Sequence, residues 1–445
     1  MYKITISFLM AIWSLVCSGQ SDVLNKYLDI QQQRINFNGV VLVAKNNQTL
    51  YQINVGKASQ ELNVPINTGA VFRIASISKQ FTATLVALAT EEGRLRLDDS
   101  LGTFFPELKN TQWRKISLHQ LLSHTSGIPH NEGIADYWIL KSRLPLSKEQ
   151  ALAEIFAMEL LFEPGTEMHY SSPGYLLLAC ILETIYRQPY AKILEEKILR
   201  PLEMHYAGVS HSSKLIPGMV SAYHMLGDSL MVAPYRDFSL MKGSGDLYAS
   251  AEDLAKWNSS FSTGGMWSES LKKLLFTAHT HNTPNYGYGW FIRPQGRLAY
   301  YHGGGTFGCS ALSAWYPDEQ MSIIILSNVS VLPVDELWSD IEKIVFGEPF
   351  ELPMIRPTMR MGTAELQKFT GRYMQGQQEL DIVLVNDQLY AKLGANPAFE
   401  VYPESKLSFF GKKVDVRLTF KSDEEDGITG LEADVKGQKH HFTKK

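Results

Sequence analysis

The chain has 445 residues, 44% of them hydrophobic and 20% charged, with a formal net charge of −4. That length exceeds one ordinary hydrophobic core and predicts two domains. The mild acidity, without a basic tract interleaved with aromatics, points away from nucleic acid and from anionic membrane surfaces as partners.

At the N-terminus, "MYKITISFLMAIWSLVCSGQSDV" sets Lys3 before an apolar run from Ile4 to Val16 and small residues around Cys17, Ser18 and Gly19. This is the layout of a secretory signal peptide over residues 1–19, and the run is short for a membrane span. The expectation is an exported protein, periplasmic or secreted, with no transmembrane segment after cleavage. Lipid anchoring at Cys17 is the lesser alternative, because Ser14 and Val16 fit the residues it requires poorly. Cys180 and Cys309 remain in the mature chain, both in apolar sequence, and either a disulfide or two buried thiols fits them.

Next, "FNGVVLVAKNNQTLYQINVG" alternates apolar and polar residues around Asn46-Asn47, predicting a β-hairpin. Helical spacing follows Ser76 through "FTATLVALATEEG", with Gly93 as its stop. Further helices are predicted in "PGYLLLACILETIYRQ", in "YAKILEEKILRPLEM" and after the Ser250 cap in "SAEDLAKWNSSF". Strands return in "GRLAYYHGG", "CSALSAWYPD" and "MSIIILSNVS", and "DELWSDIEKIVFG" closes the series with a helix ending at Gly347. Two early strands, a helical middle, then late strands and a helix predict one antiparallel sheet built from both ends of residues 20–347, with helices around it. Residues 348–363 carry Pro349, Pro353 and Pro357 without periodicity and read as a linker. Short alternating runs over 364–445 predict a small all-β module, a barrel or sandwich. Tyr373, Tyr390 and Phe410 are expected in its core.

The chemistry turns on one serine. S-x-x-K occurs at Ser76/Lys79, Ser239/Lys242 and Ser270/Lys273, so the pattern alone does not choose. Ser270 belongs to a solvated helix face in "WSESLKKLLF", and Ser239 to a loop in "RDFSLMKGSG". Only Ser76, in "FRIASISKQFTA", stands where a loop becomes the first turn of a buried helix, an end with unpaired N–H groups and a positive dipole. A lysine three residues on can reach the serine oxygen, and a depressed pKa would let it take the proton.

Two other stretches bear on this. "PGTEMHYSSPGY" puts Tyr170 after a turn and before an apolar helix, with Ser172 two residues on. "YYHGGGTFG" is glycine-rich beside a strand, where missing Cβ atoms allow close approach to a ligand. In order and separation the three stretches resemble the serine β-lactamase and penicillin-binding-protein superfamily, in particular its class C-like branch of β-lactamases, carboxypeptidases, D-aminopeptidases and esterases. The matching positions are S-x-x-K at Ser76 to Lys79, Y-x-N at Tyr170 to Ser172, and K-T-G or H-x-G at His302 to Gly304. "ISLHQLLSHTSGIP" at 116–129 and "GSGDLYASAEDLAKW" at 243–257 agree with it.

The resemblance implies a fold of class α/β, an antiparallel sheet flanked by helices with a helical subdomain, carrying a small barrel- or lipocalin-like all-β domain. It implies acyl transfer with Ser76 as nucleophile, Lys79 as its activator, and Tyr170 as proton shuttle and later activator of water, its phenol pulled down by a neighbour such as Lys79. The oxyanion site would be the backbone N–H groups of Ser76 and Gly305, with Ser172, His302, Gly303 and Gly304 lining the substrate. The substrate would be a small molecule or peptide, with no metal or organic cofactor. Two departures stand out: Ser172 replaces an Asn, and His302 a Lys whose charge would attract a substrate carboxylate. Both weaken the expectation of an efficient β-lactamase and leave open a module that is acylated without turnover.

Two other hydrolase classes fit less well. "HGGG" at 302–305 also occurs in α/β-hydrolases, but the chain lacks their G-x-S-x-G. The histidines at 279, 281, 440 and 441 lack zinc-site spacing.

Overall fold

The computed structural model describes residues 2–227, 229–262, 264–280, 285–425 and 427–445, without the side chains of 2–18 or of Thr111. The apolar run of the expected signal segment, with Cys17, thus lies outside the described side chains, and His281 outside the described residues. Among the described residues no helix is long and apolar enough to cross a membrane. The chain forms two compact units. One comprises Met1–Ser21, Asn38–His224 and Met231–Glu348, the other Asp22–Phe37, Met225–Leu230 and Pro349–Lys445.

The first unit is built on a six-stranded antiparallel sheet. Its strands are β1 (Gly39–Lys45), β2 (Gln48–Val55), β3 (Phe291–Arg293), β4 (Ala299–Thr306), β5 (Cys309–Tyr316) and β6 (Met321–Ser327), in the order β3-β4-β5-β6-β1-β2. Both ends of the unit thus share one sheet through pairing of β1 with β6, Gly39 opposite Ser327. The hairpin turn is Asn46-Asn47, both at positive φ (51° and 60°), as a two-residue turn matched to strand twist requires. Strands β5 and β6 are buried along their whole length, so their apolar runs do not alternate.

Successive strand residues face opposite ways, and Tyr300 and Tyr301 show what covers each face. Tyr300 stacks on Phe276 of a helix at Glu269–Phe276, with ring centroids 4.2 Å apart, whereas Tyr301 packs on Trp338 of a helix at Val334–Phe346, 4.7 Å away. Gly347, at φ 69°, ends the latter. The helical part centres on α1 (Ser78–Glu91) and α2 (Ser172–Tyr186), both buried over most of their length. Phe81 of α1 stacks at 4.1 Å on fully buried Trp257, whose Nε1–H donates to Gln80 Oε1 at 2.9 Å. Trp257 belongs to the helix Ala251–Ser259, which Ser250 caps by accepting from the Asp253 N–H.

In the second unit, eight strands from Gly371–Gln375 to Gln438–Lys444 follow one another around a closed barrel, sealed by pairing of Tyr373 with Lys444. Its interior is filled by side chains. Phe369 follows a short helix, Thr363–Gln367, that the alternating pattern does not predict, and it packs on Phe409 and Phe420 at 4.8 and 4.7 Å. Tyr373 and Phe410 are buried, whereas Tyr390 is half-buried.

Candidate active site

Ser76 does not open the long helix. It sits in a 3₁₀ turn, Ala75–Ile77, whose first residue is held at φ 43°, a left-handed value that costs a non-glycine residue energy. The turn hands over to α1, and Lys79 is its second residue, with its side chain fully buried. Lys79 Nζ lies 3.1 Å from Ser76 Oγ, 3.0 Å from Ser172 Oγ and 2.8 Å from the Ser244 carbonyl oxygen. These partners are two hydroxyls and a carbonyl. With no carboxylate among them, burial drives the Lys79 amine well below the ordinary lysine range, opposed only by the more distant charge of Asp246.

Tyr170 comes from the segment before α2, and its hydroxyl lies 3.5 Å from His302 Nε2. Its ring carries Lys79 Nζ 4.7 Å from the centroid and packs against His124 at 4.4 Å and His130 at 5.4 Å. Burial pushes its phenol upward, which corrects the expectation of a phenol pulled down by Lys79. The desolvation that lowers the amine raises the phenol, since each disfavours its charged form.

His302, on β4, is buried and keeps Nδ1 2.5 Å from the Gly303 oxygen, so Nδ1–H donates and Nε2 accepts. Nε2 lies 3.5 Å from the Tyr170 hydroxyl and 3.3 Å from that of Tyr286. Burial, then the Lys79 charge, pushes this imidazole down to about 3, leaving it neutral at ordinary pH. Along the same strand, a Cβ on Gly304 would fall 2.3 Å from the Ile74 oxygen, so only glycine lets β4 lie against the turn that carries Ser76. Beyond Tyr301, β4 pairs only with β5 among the described residues, so Gly303, Gly304 and Gly305 lie on a stretch without a second described strand beside it, and a Cβ on Gly305 would meet nothing described within 4 Å.

Ser76, Lys79, Tyr170, Ser172 and His302 therefore meet in one place. The other two S-x-x-K pairs do not resemble it: Lys242 pairs with Glu183 at 2.9 Å, and Ser270 Oγ bonds Glu91. His279 is held by the Leu274 carbonyl and stacks on Tyr288, while His440 and His441 lie on the last barrel strand. Cys180 and Cys309 are free buried thiols.

Several residues at the site escaped the sequence reading. The Ser244 carbonyl holds Lys79. His124 and His130 accept the Ser171 and Ser172 N–H groups, each at 3.1 Å, and so fix the start of α2. Tyr286 fills the space behind His302. Buried Asp246, which accepts from the Gly243 N–H at 2.9 Å, has its carboxyl pushed up to about 7 by desolvation. His124, Ser244 and Asp246 lie inside the two accessory stretches at 116–129 and 243–257, but nothing in their spacing gives them a task.

The chain is similar to known proteins along most of its length. The chain is 27% identical over 424 residues to Penicillin-binding protein 4* of Bacillus subtilis, covering 88% of this chain and 92% of the relative. The octameric penicillin-binding protein homologue from Pyrococcus abyssi superposes with a TM-score of 0.65 at 22% identity, over 95% of this chain and 99% of that one. The D-amino acid amidase from Ochrobactrum anthropi gives 0.64 at 20% identity, over 73% and 99%. The Beta-lactamase family profile matches residues 26–342, most of the chain, and this protein therefore belongs to the Beta-lactamase family of serine hydrolases.

Proposed function

We propose that the protein is an exported serine hydrolase that forms an acyl-enzyme on Ser76 from a small amide or ester: a β-lactam, a D-amino-acid peptide or a carboxylic ester. The reading is carried by the buried Lys79 amine 3.1 Å from Ser76 Oγ, with no carboxylate among its three partners. A neutral amine can donate its two N–H groups to Ser244 O and Ser172 Oγ and keep its lone pair for the Ser76 proton. The Ser76 oxygen then attacks the carbonyl, and the charge that develops is met by the N–H groups of Ser76 and Gly305. Tyr170, kept protonated by burial, suits proton delivery to the leaving group and does not suit being a base in the resting enzyme. Water must then be activated by Lys79, or by Tyr170 once the acyl group has changed its surroundings.

The raised phenol also supports a second reading, in which Ser76 is acylated and the acyl group persists. Intact-protein mass spectrometry after brief exposure to a penicillin and to an activated ester, with Ser76→Ala as control, separates the two. Ester consumption without a lasting adduct supports the hydrolase. A stable adduct on Ser76 supports the trap, and no reaction of either kind sinks both.

A further inference from the structure

Residues 169–172, which carry Tyr170 and Ser172, are tied to residues 124–130 through backbone and side chains alike. The His169 N–H donates to the His124 carbonyl at 2.9 Å. The Ser171 N–H donates to His124 Nδ1 and the Ser172 N–H to His130 Nδ1, each at 3.1 Å, and the Ser171 hydroxyl donates to the Pro129 carbonyl at 3.1 Å. Ser172 opens α2, so its N–H is one of the donors that a helix start leaves without an intrahelical partner, and His130 supplies the acceptor. Tyr170 therefore has a held residue on either side.

These imidazoles differ from histidines that only fill space. Because each Nδ1 accepts, the hydrogen of the neutral ring lies on Nε2. In fully buried His124 that Nε2 has no partner among the described residues, and the rings packed on this imidazole are those of Tyr170, Tyr175 and Tyr286, at 4.4, 5.2 and 4.7 Å. His124 also sits at φ 60°, a left-handed value, while its carbonyl and its Nδ1 both serve the 169–171 stretch. An unpaired N–H and backbone strain at one residue are costs that persist where the geometry they hold is needed. Burial, then the Lys79 charge, pushes His130 down to about 3 and His124 well below its ordinary value, with His169 acting on both in the same direction. The rings thus stay acceptors, whereas a protonated ring would set N–H against N–H.

We infer that His124 and His130 are positioning residues for acyl transfer: as neutral Nδ1 acceptors they fix residues 169–172, and with them the point at which the Tyr170 ring and the Ser172 hydroxyl meet Lys79. The inference rests on the proposed hydrolase reading. Acylation of Ser76 by p-nitrophenyl acetate is followed in full-length protein over a range of ester concentrations, with thermal unfolding of the same preparations. His130→Leu removes the acceptor, and His130→Asn sets an amide oxygen in the place of Nδ1. His130→Leu is expected to lower the limiting acylation rate about 30-fold with little change in the half-saturating ester concentration, and His130→Asn to recover it to within about fivefold of wild type. Should His130→Leu not fold, His130→Gln, whose oxygen lies one bond further out, takes its place with the same expectation. At 124 both glycine and asparagine tolerate the left-handed backbone, so His124→Gly, without an acceptor, should acylate at least about tenfold more slowly than His124→Asn. Undiminished acylation without the acceptor, an equal loss with and without it, or a loss confined to the half-saturating concentration overturns the positioning role while leaving the hydrolase reading intact. A wild-type protein that is not acylated overturns the hydrolase reading, and the positioning role falls with it.

Discussion

Lys79 and His302 are both buried bases, and burial acts on them with the same sign but at different pH. If the neutral Lys79 amine takes the Ser76 proton, kcat/KM must rise with pH through the lowered Lys79 pKa and reach its plateau well short of the ordinary lysine value of 10.5. Lys79→Arg, whose guanidinium stays protonated and cannot act as a base, should abolish that limb and cost activity on the order of 10²-fold or more. A pH–rate profile of both proteins checks this, and a limb that persists in the variant would assign it to another group. For His302 the folded pKa, about 3, lies below the ordinary 6.5. Between those values the unfolded chain binds more protons, so stability falls as pH drops from about 6.5 toward 3. Asp246 has the opposite sign: its folded pKa near 7 exceeds 3.8, so its contribution is full below 3.8 and lost as pH rises through 7. Urea midpoints across this range should fall less steeply toward acid in His302→Gln, and should lose part of their decline toward neutral pH in Asp246→Asn.

At the scale of elements, the site depends on β4 lying against the 3₁₀ turn and on α1 being seated. Gly304→Ala would drive a Cβ into the Ile74 carbonyl, a backbone atom that cannot rotate away. The expected cost is about 1–3 kcal/mol of stability from overpacking and roughly 10²-fold in acylation rate, because the strand edge shifts relative to Ser76. Unfolding and single-turnover acylation measured on the same preparation check it, and a rate loss without any stability loss would contradict the steric account. Phe81→Ala removes the ring stacked on Trp257 and is expected to cost about 3–5 kcal/mol in urea unfolding. The helix of α1 was legible because its apolar positions recur at helical spacing. The 3₁₀ turn was not, because a positive φ at Ala75 is imposed by neighbours such as Gly304 and Gly245 and leaves no mark in local composition.

At the scale of the whole molecule, the barrel holds its own core, and Phe409→Ala, which removes a fully buried ring between Phe369 and Phe420, should cost about 3–5 kcal/mol in thermal unfolding of the second unit. A change below about 1 kcal/mol would mean the interior closes around the gap. The sequence by itself determined the antiparallel sheet with its flanking helices, the β-rich second part, and the three stretches that carry Ser76, Tyr170 and His302. Strand alternation, helical spacing and glycine-rich turns are local signals, and the order of the stretches along the chain is a family signature. Only the tertiary structure decided what surrounds them. Ser172 and the Ser244 carbonyl reach Lys79 from 93 and 165 residues away. The charge states of Lys79, Tyr170 and His302 follow from burial, which belongs to the packed chain and to no single segment of it.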